Sequence, residues 1–191
     1  MQKTIVTIVV FFLTALCLVL GPLAALAESV QEQREDSLQL SDDTLNQLYR
    51  LVSGAREAVR DAAGYGVFSD KSMKILTFGS GLGKGVVINN TTQKATYMLM
   101  GEVQAGLGLG ISKFRQVFVF QTQAALNDFI NTGIELGAQM TGAAQAGGQG
   151  GSIDGAINVA PGVWVFQITE AGLAAELGIT GAKYFKDDKL N

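Results

Sequence analysis

The spacing of hydrophobic and polar positions along this chain changes near residue 64. Before it, apolar residues from Leu45 to Ala62 recur three or four positions apart, as they do on one face of a helix. Ser41 precedes this stripe as a candidate N-cap, and Gly64 follows it as a stop signal. The pattern predicts an amphipathic helix over residues 41–62.

After this helix the pattern becomes that of β-strands. Short runs of branched and aromatic residues are separated by turn-forming residues, and proline is rare. The runs that read as strands are 65–68, 73–78, 85–88, 95–100, 102–111, 115–121, 134–144, 153–159, 162–168 and 172–185. The segment NNTTQK at 89–94 predicts a hairpin loop.

A second helical pattern interrupts the strands at QAALNDFINT, residues 123–132, with Thr122 as its cap and Gly133 as its stop. Together these elements predict an α+β fold. It consists of a curved, largely antiparallel, barrel-like β-sheet with an N-terminal amphipathic helix and a second short helix.

The first residues have the pattern of a secretory signal peptide. Lys3 is followed by a long apolar run, and an Ala-Leu-Ala tripeptide ends at Ala27. We expect residues 1–27 to be cleaved after Ala27 and the protein to be exported to the periplasm or cell envelope; an uncleaved membrane anchor is the alternative. Residues 28–40 are predicted as a flexible acidic lead-in, and residues 41–191 as one domain.

Composition removes several kinds of catalytic site. The chain has no histidine, and its single cysteine, Cys17, lies in the predicted signal peptide. The remaining chain therefore offers neither an imidazole for a Ser-His-Asp triad nor a thiolate for a zinc site. A net charge of −3 also differs from the positive net charge that is typical of a nucleic-acid-binding protein. We expect no metal, no cofactor and no nucleic-acid partner.

The glycine-rich stretch FGSGLGKGVV, residues 78–87, does not fit a nucleotide-binding loop. The pattern G-x-x-x-x-G-K-[ST] would need a glycine at Phe78 and a hydroxyl residue at Gly85. Ser80 and Lys84 also lack the S-x-x-K spacing of a serine–lysine hydrolase. We predict that the protein is not an enzyme, and a hydrolase that uses Ser80 or a pair of carboxylates is the competing hypothesis.

Three glycines, Gly106, Gly108 and Gly110, alternate along one face of a predicted strand. Glycine weakens a strand interior unless a bend, a neighbouring backbone or a ligand needs the space. We predict that these glycines are structural and allow a bend or a close approach; a groove for an acyl chain is the alternative. The apolar runs 117–120 and 163–166 predict strands buried on both faces.

The order of these segments resembles the SYLF family. The residues that carry the resemblance are GLGLGISKFRQVFVFQTQAALNDFI (106–130), GAQMTGAAQAG (137–147) and LAAELGITGAKYFKDD (173–188), which follow a helix and the strand YGVF (65–68). The resemblance covers roughly residues 41–188.

This resemblance implies a non-enzymatic lipid-binding module, since eukaryotic members of the family bind phosphoinositides and some also bind actin. For an exported bacterial protein it implies binding to membrane lipid, with anionic phospholipid as the expected class; actin enters only by analogy. The candidate phosphate contacts are Lys84, Lys113, Arg115 and Lys183. The alternative is a structural, self-associating protein of the periplasm without lipid dependence, and a homo-oligomer is left open.

Overall fold

The computed structural model describes residues 29–137, 153–174 and 181–191; at 70–80, 102–112 and Gly137 it describes the backbone alone. The residues from Arg34 to Asn191 form one compact unit. The predicted signal peptide and parts of two predicted strands, 138–144 and 175–180, lie outside the described residues.

Helices and strands follow the predicted order along the chain. The described helices are α1 (Val30–Leu51), α2 (Ala55–Asp61) and α3 (Gln123–Thr132). The described strands are β1 (Gly64–Asn89), β2 (Ala95–Phe120), β3 (Ile134–Gly137), β4 (Ile157–Ala160), β5 (Val163–Thr169), β6 (Gly172–Leu173) and β7 (Gly181–Lys186). The α+β class is confirmed, and six of the predicted strand segments are joined into the two long strands β1 and β2.

Helix α1 begins earlier than the apolar spacing predicts. The Ser29 hydroxyl accepts a hydrogen bond from the Glu32 amide at 3.1 Å, and the Glu32 carboxylate accepts one from the Ser29 amide at 3.4 Å. This reciprocal pair is a capping box, which stabilises the first turn of a helix. The segment 28–40, predicted as a flexible lead-in, is therefore helical from Val30 onward.

The predicted single helix over residues 41–62 is divided in two. Gly54 has φ +90°, a left-handed conformation that interrupts the helix and separates α1 from α2. The buried face of α1 begins with Ser37, Ser41 and Thr44. Because these side chains are polar, apolar spacing could not reveal that this part of the helix packs.

The long hairpin of β1 and β2 organises the sheet. Its register runs from Gly64 opposite Phe120 to Ile88 opposite Ala95, and the predicted loop at 89–94 joins the strands. The second edge of β2 pairs with β7 along 98–103 and with β5 along 114–120. Strand β3 pairs with β7, whereas β4 and β6 pair with β5, and every pairing is antiparallel.

Strand β1 curves until its two ends lie side by side, which nearly closes the sheet into a barrel. A Cβ atom added at Gly83 would lie 2.7 Å from the carbonyl oxygen of Ser69, and one added at Gly85 would overlap the carbonyl oxygen of Val67. Such contacts exclude any side chain, so these two glycines allow the close approach of backbone to backbone.

Asn90 holds the two ends of β1 together. Its amide donates to the carbonyl oxygen of Ala63 at 3.0 Å. Its side-chain nitrogen donates to the carbonyl oxygens of Val59 and Ala62 at 2.8 and 2.9 Å, which also caps the end of α2. The hairpin loop is thereby fixed to the start of the same hairpin.

The two larger apolar clusters among the described residues lie on opposite faces of the sheet. The inner cluster contains aromatic rings in edge-to-face and tilted contact, with α3 adding Leu126 and Phe129 at one end of the barrel. The outer cluster contains residues of α1, α2, β1, β2 and β5, among them Leu48, Val59 and Val117. Residues 117–120 and 163–166 are buried on both faces, as the sequence predicts.

Candidate functional site

One outer face of the sheet remains uncovered where β1, β2 and β7 run together. Leu82 is opposite Gly101, which is opposite Lys183. Residues paired across antiparallel strands project on the same side of the sheet, so these positions form one row.

The next row of the same face contains Lys84, Leu99 and Phe185, which are paired in the same way. The row between them, formed by Gly83, Met100 and Tyr184, is buried in the barrel interior. Because side chains alternate between faces, the flanking rows point outward. We call the residues Leu82, Lys84, Leu99, Lys183 and Phe185 the outer-face patch.

The outer-face patch combines exposed apolar and basic side chains. Leu82 is 82% exposed and Phe185 is 43% exposed. Lys84 and Lys183 are exposed beside them, and Leu99 is half-buried. Leu82 on β1 and Phe185 on β7 expose apolar surface on the same sheet face, with Leu99 of β2 between the two strands, and contiguous exposed apolar surface marks an interaction site.

The two lysines of the patch differ in whether an acidic side chain lies beside them. The Lys183 ammonium lies 2.9 Å from the carboxylate of Glu135 on β3, and both side chains are well exposed. Such a surface pair contributes about 0–1 kcal/mol and is easily replaced by another anion. Lys84 forms no ion pair with any residue that the structure describes.

Beyond the patch the same sheet face is covered. Val86 and Tyr97 are buried there with Leu190 of the C-terminal turn. The Arg34 guanidinium lies over the Tyr97 ring at 5.7 Å and donates to the carbonyl oxygen of Leu190 at 2.8 Å. The outer-face patch is thus a part of this face that neither α1 nor the C-terminal turn covers.

The other two predicted contacts, Lys113 and Arg115, lie elsewhere. The stretch of β2 from Gly101 to Lys113 separates them from the outer-face patch, so the structure divides the four basic residues into two pairs. Lys113 and Arg115 line a cleft of about 440 Å³ at the edge of α1. Arg115 Nη1 donates to Gln47 Oε1 at 3.4 Å. We call this the basic cleft.

The predicted structural glycines lie in a part of β2 where the backbone alone is described. Leu76 is paired with Gly108 but Phe78 with Ala105, so a register shift falls beside Gly106. A shift of this kind bends a strand. The packing role of Gly106, Gly108 and Gly110 remains a prediction.

Sequence reasoning missed the glycines that the barrel closure requires. A Cβ atom added at Gly64, Gly83 or Gly85 would lie within 2.7 Å of a carbonyl oxygen. The signal was available, because FGSGLGKGVV alternates glycine in the same way as the later stretch. From the sequence, this segment is weighed as a nucleotide-binding loop and as a serine–lysine site, and neither interpretation concerns the approach of two backbones.

Among the residues that the structure describes, no group of three or more Cys, Asp or Glu side chains could hold a metal ion. Ser80, the candidate nucleophile, lies where the backbone alone is described. None of the described helices is long and apolar enough to span a membrane.

The fold and the outer-face patch define a small α+β module with a partly apolar, lysine-bearing sheet surface. Residues 101–191 match the family described as "Ysc84: Las17-binding protein actin regulator". This match confirms the resemblance to the SYLF family seen in the sequence.

A curated relative extends the similarity toward the N-terminus. Beta cell expansion factor A of Aeromonas veronii is 28% identical to this chain over 163 residues. The matched region covers 85% of this chain but 60% of the relative. This chain therefore corresponds to part of that longer protein.

Proposed function

We propose that this protein is a non-enzymatic lipid-binding module of the cell envelope that binds anionic phospholipid through its outer-face patch. Similarity to the SYLF family supports lipid binding in general. The observation that carries the proposal is that exposed Leu82 shares β1 with Lys84, and exposed Phe185 shares β7 with Lys183, on one sheet face.

The energetics favour reversible attachment. Transfer of a leucine or phenylalanine side chain from water to an apolar phase gives about 1.5–3 kcal/mol when burial is complete. Each lysine near an anionic membrane surface adds about 1 kcal/mol, and this part is screened by salt. Two apolar and two basic side chains therefore give a contact that is sensitive both to lipid charge and to ionic strength.

Export of the protein is part of the proposal and rests on the predicted signal peptide, residues 1–27. The family description names Las17 binding and actin regulation. We do not extend these partners to this chain, because an exported bacterial protein would not meet a cytoskeleton.

The test is flotation of the purified protein with vesicles. Vesicles of phosphatidylcholine alone are compared with vesicles that also contain phosphatidylglycerol, each at low and at high salt. We expect the protein to float with the anionic vesicles at low salt and to be released at high salt. Failure to float with either vesicle would contradict the proposal.

Self-association is the second candidate function, because the same exposed Leu82 and Phe185 could be buried against another copy of the chain. Sedimentation velocity across a range of protein concentrations, without lipid, distinguishes self-association from lipid binding. Oligomers that form without lipid and dissociate in Leu82→Ser would favour the structural role. A monomer that floats with anionic vesicles would favour the lipid-binding role.

A further inference from the structure

The basic cleft contains positive and negative side chains that do not neutralise one another. Its polar lining comes from helix α1, from strands β1, β2 and β5 and from the residue after β5: Gln47, Ser69, Lys113, Arg115, Thr169 and Glu170. Within the described residues, the ion pairs are Arg60–Asp61 and Lys183–Glu135, so no described partner neutralises the cleft.

The two cations occupy one side of β2. Lys113 and Arg115 are two residues apart on a strand, which places them on the same face with Cα atoms about 6.5–7 Å apart. Like charges at this separation repel unless an anion lies between them, and a phosphate oxygen is a strong acceptor for both an ammonium and a guanidinium.

The guanidinium of Arg115 has a fixed neighbour. One of its nitrogens donates to Gln47 Oε1 at 3.4 Å, which uses one of the five N–H donors. Arg115 itself is half-buried, whereas Lys113 is exposed at the mouth of the cleft. Helix α1 thus orients the arginine toward the space that the cleft encloses.

Glu170 adds a negative charge to the lining of the cleft. It follows directly after β5, is exposed, and lines the same cleft as the two cations. Its carboxylate would repel inorganic phosphate, but it would attract an ammonium group carried by the same ligand. A cleft of about 440 Å³ is within the size range of small-molecule sites.

We propose that the basic cleft binds a zwitterionic phosphodiester that carries a primary ammonium group, with the phosphate at Lys113 and Arg115 and the ammonium at Glu170. Two sources share this chemistry: the headgroup of an ethanolamine phospholipid and the free glycerophosphodiester. The site is distinct from the outer-face patch and goes beyond the proposed function.

The first experiment titrates the full protein with free glycerophosphoethanolamine, using glycerol 3-phosphate and ethanolamine as half-ligands, and follows backbone amide shifts by NMR. We expect glycerophosphoethanolamine to bind about tenfold more tightly than either half-ligand, with shifts at the cleft residues. Equal binding of glycerol 3-phosphate would overturn the zwitterion assignment.

Substitutions at Arg115 and Glu170, which are half-buried and exposed, test the phosphate contact and the ammonium contact separately. Arg115→Gln should weaken binding about tenfold. Glu170→Gln should remove the advantage of glycerophosphoethanolamine over glycerol 3-phosphate while glycerol 3-phosphate still binds, whereas misfolding would abolish the binding of both. An unchanged preference in Glu170→Gln would overturn the role of the carboxylate.

The second experiment distinguishes the sources. Vesicles of phosphatidylcholine with or without phosphatidylethanolamine are compared for flotation in the wild type and in Glu170→Gln. Binding that needs phosphatidylethanolamine and Glu170, without binding of the free diester, supports the proposal with a lipid as the source. No response to either form would overturn it.

Failure of the proposed function can be distinguished from failure of the cleft assignment. The variant Leu82→Ser changes the outer-face patch but not the cleft, so it should bind free glycerophosphoethanolamine as the wild type does. If anionic vesicles fail to bind while the free diester binds, the patch assignment fails and the cleft assignment stands.

Discussion

The hydroxyl of Tyr184 donates a hydrogen bond to the side-chain carbonyl of Gln116 inside the barrel, and both side chains are fully buried. In the register of the sheet, however, Tyr184 is paired with Met100. Both relations hold only because β2 curves around the interior, so that its two halves face each other. Gln116 in turn donates to Gln167 at 3.0 Å, which connects β7, β2 and β5 through side chains.

Removal of the Tyr184 hydroxyl should destabilise the fold. Tyr184→Phe leaves the Gln116 carbonyl oxygen without this donor in a site closed to water, and we expect the free energy of unfolding to fall by about 1–3 kcal/mol. Urea denaturation measures the loss. The double variant Tyr184→Phe, Gln116→Leu removes both partners and should cost less than the sum of the two single variants. Wild-type stability of Tyr184→Phe would show that the bond contributes nothing.

A methyl group at Gly85 should be far more harmful than one at Gly101. In Gly85→Ala the new Cβ would overlap the Val67 carbonyl oxygen and the Phe68 ring, so we expect a loss of about 1–3 kcal/mol or more from overpacking. Gly101→Ala is the matched control on the partner strand, because no heavy atom lies within 4 Å of its added Cβ. Thermal melting compares the two, and equal melting temperatures would contradict the proposed closure of β1 on itself.

Replacing one exposed leucine inside the outer-face patch and one outside it tests whether the patch itself contacts the membrane. Leu82→Ser should reduce flotation with anionic vesicles several-fold, because it removes apolar surface from the outer-face patch. Leu51→Ser is the control, since Leu51 is 45% exposed on helix α1 and lies outside the patch. An equal effect of both substitutions would show that the patch has no special role.

Charge at the patch should act through salt-sensitive attraction. Lys84→Glu reverses the charge of an exposed residue without a described ion pair, so melting should be unchanged while flotation at low salt decreases. Lys94→Glu, an exposed change in the hairpin loop, serves as the control. Flotation of Lys84→Glu at the wild-type level would remove this lysine from the lipid contact.

Stability should decrease in alkaline solution in a way that depends on Tyr65. Burial beneath α1, followed by the nearby Asp42 carboxylate, raises the pKa of the Tyr65 phenol above its ordinary value of 10.0. The unfolded chain then releases this proton at a lower pH than the folded protein does. The contribution to stability is complete below pH 10 and is lost as the pH rises through the folded pKa. Urea denaturation at pH 8 and pH 10.5 should show a smaller loss for Tyr65→Phe than for the wild type; an equal loss would contradict the shift.

Local signals in the sequence predicted those elements whose boundaries are set locally. Helix α3 lies between Thr122, whose hydroxyl accepts from the Ala125 amide at 3.2 Å, and Gly133, and both were predicted. The hairpin loop at 89–94 was predicted for the same reason. The start of α1 at the Ser29–Glu32 capping box was missed because the adjoining helix face buries serine and threonine rather than apolar residues.

Features that depend on distant parts of the chain could not be predicted. Lys84 and Lys183 share a face only because both β1 and β7 pair with the same stretch of β2. That register also brings Leu82 and Phe185 beside them, and neither was a candidate in the sequence. Lys113 and Arg115 are two residues apart in the sequence, but the cleft that they line depends on how α1 packs against the sheet and on the position of Glu170 after β5.

The closure of β1 on itself also constrains how the protein can fold. Pairing within the β1–β2 hairpin can begin at the loop and proceed outward, since each new pair is adjacent to the last. The bonds from Asn90 to Val59, Ala62 and Ala63 join parts of the chain that meet only after the whole hairpin has curled. Loop closure of this kind is slow because chain entropy is lost before the contacts form. We therefore expect the hydrogen bonds of Asn90 to form late in folding, after the hairpin whose two ends they join.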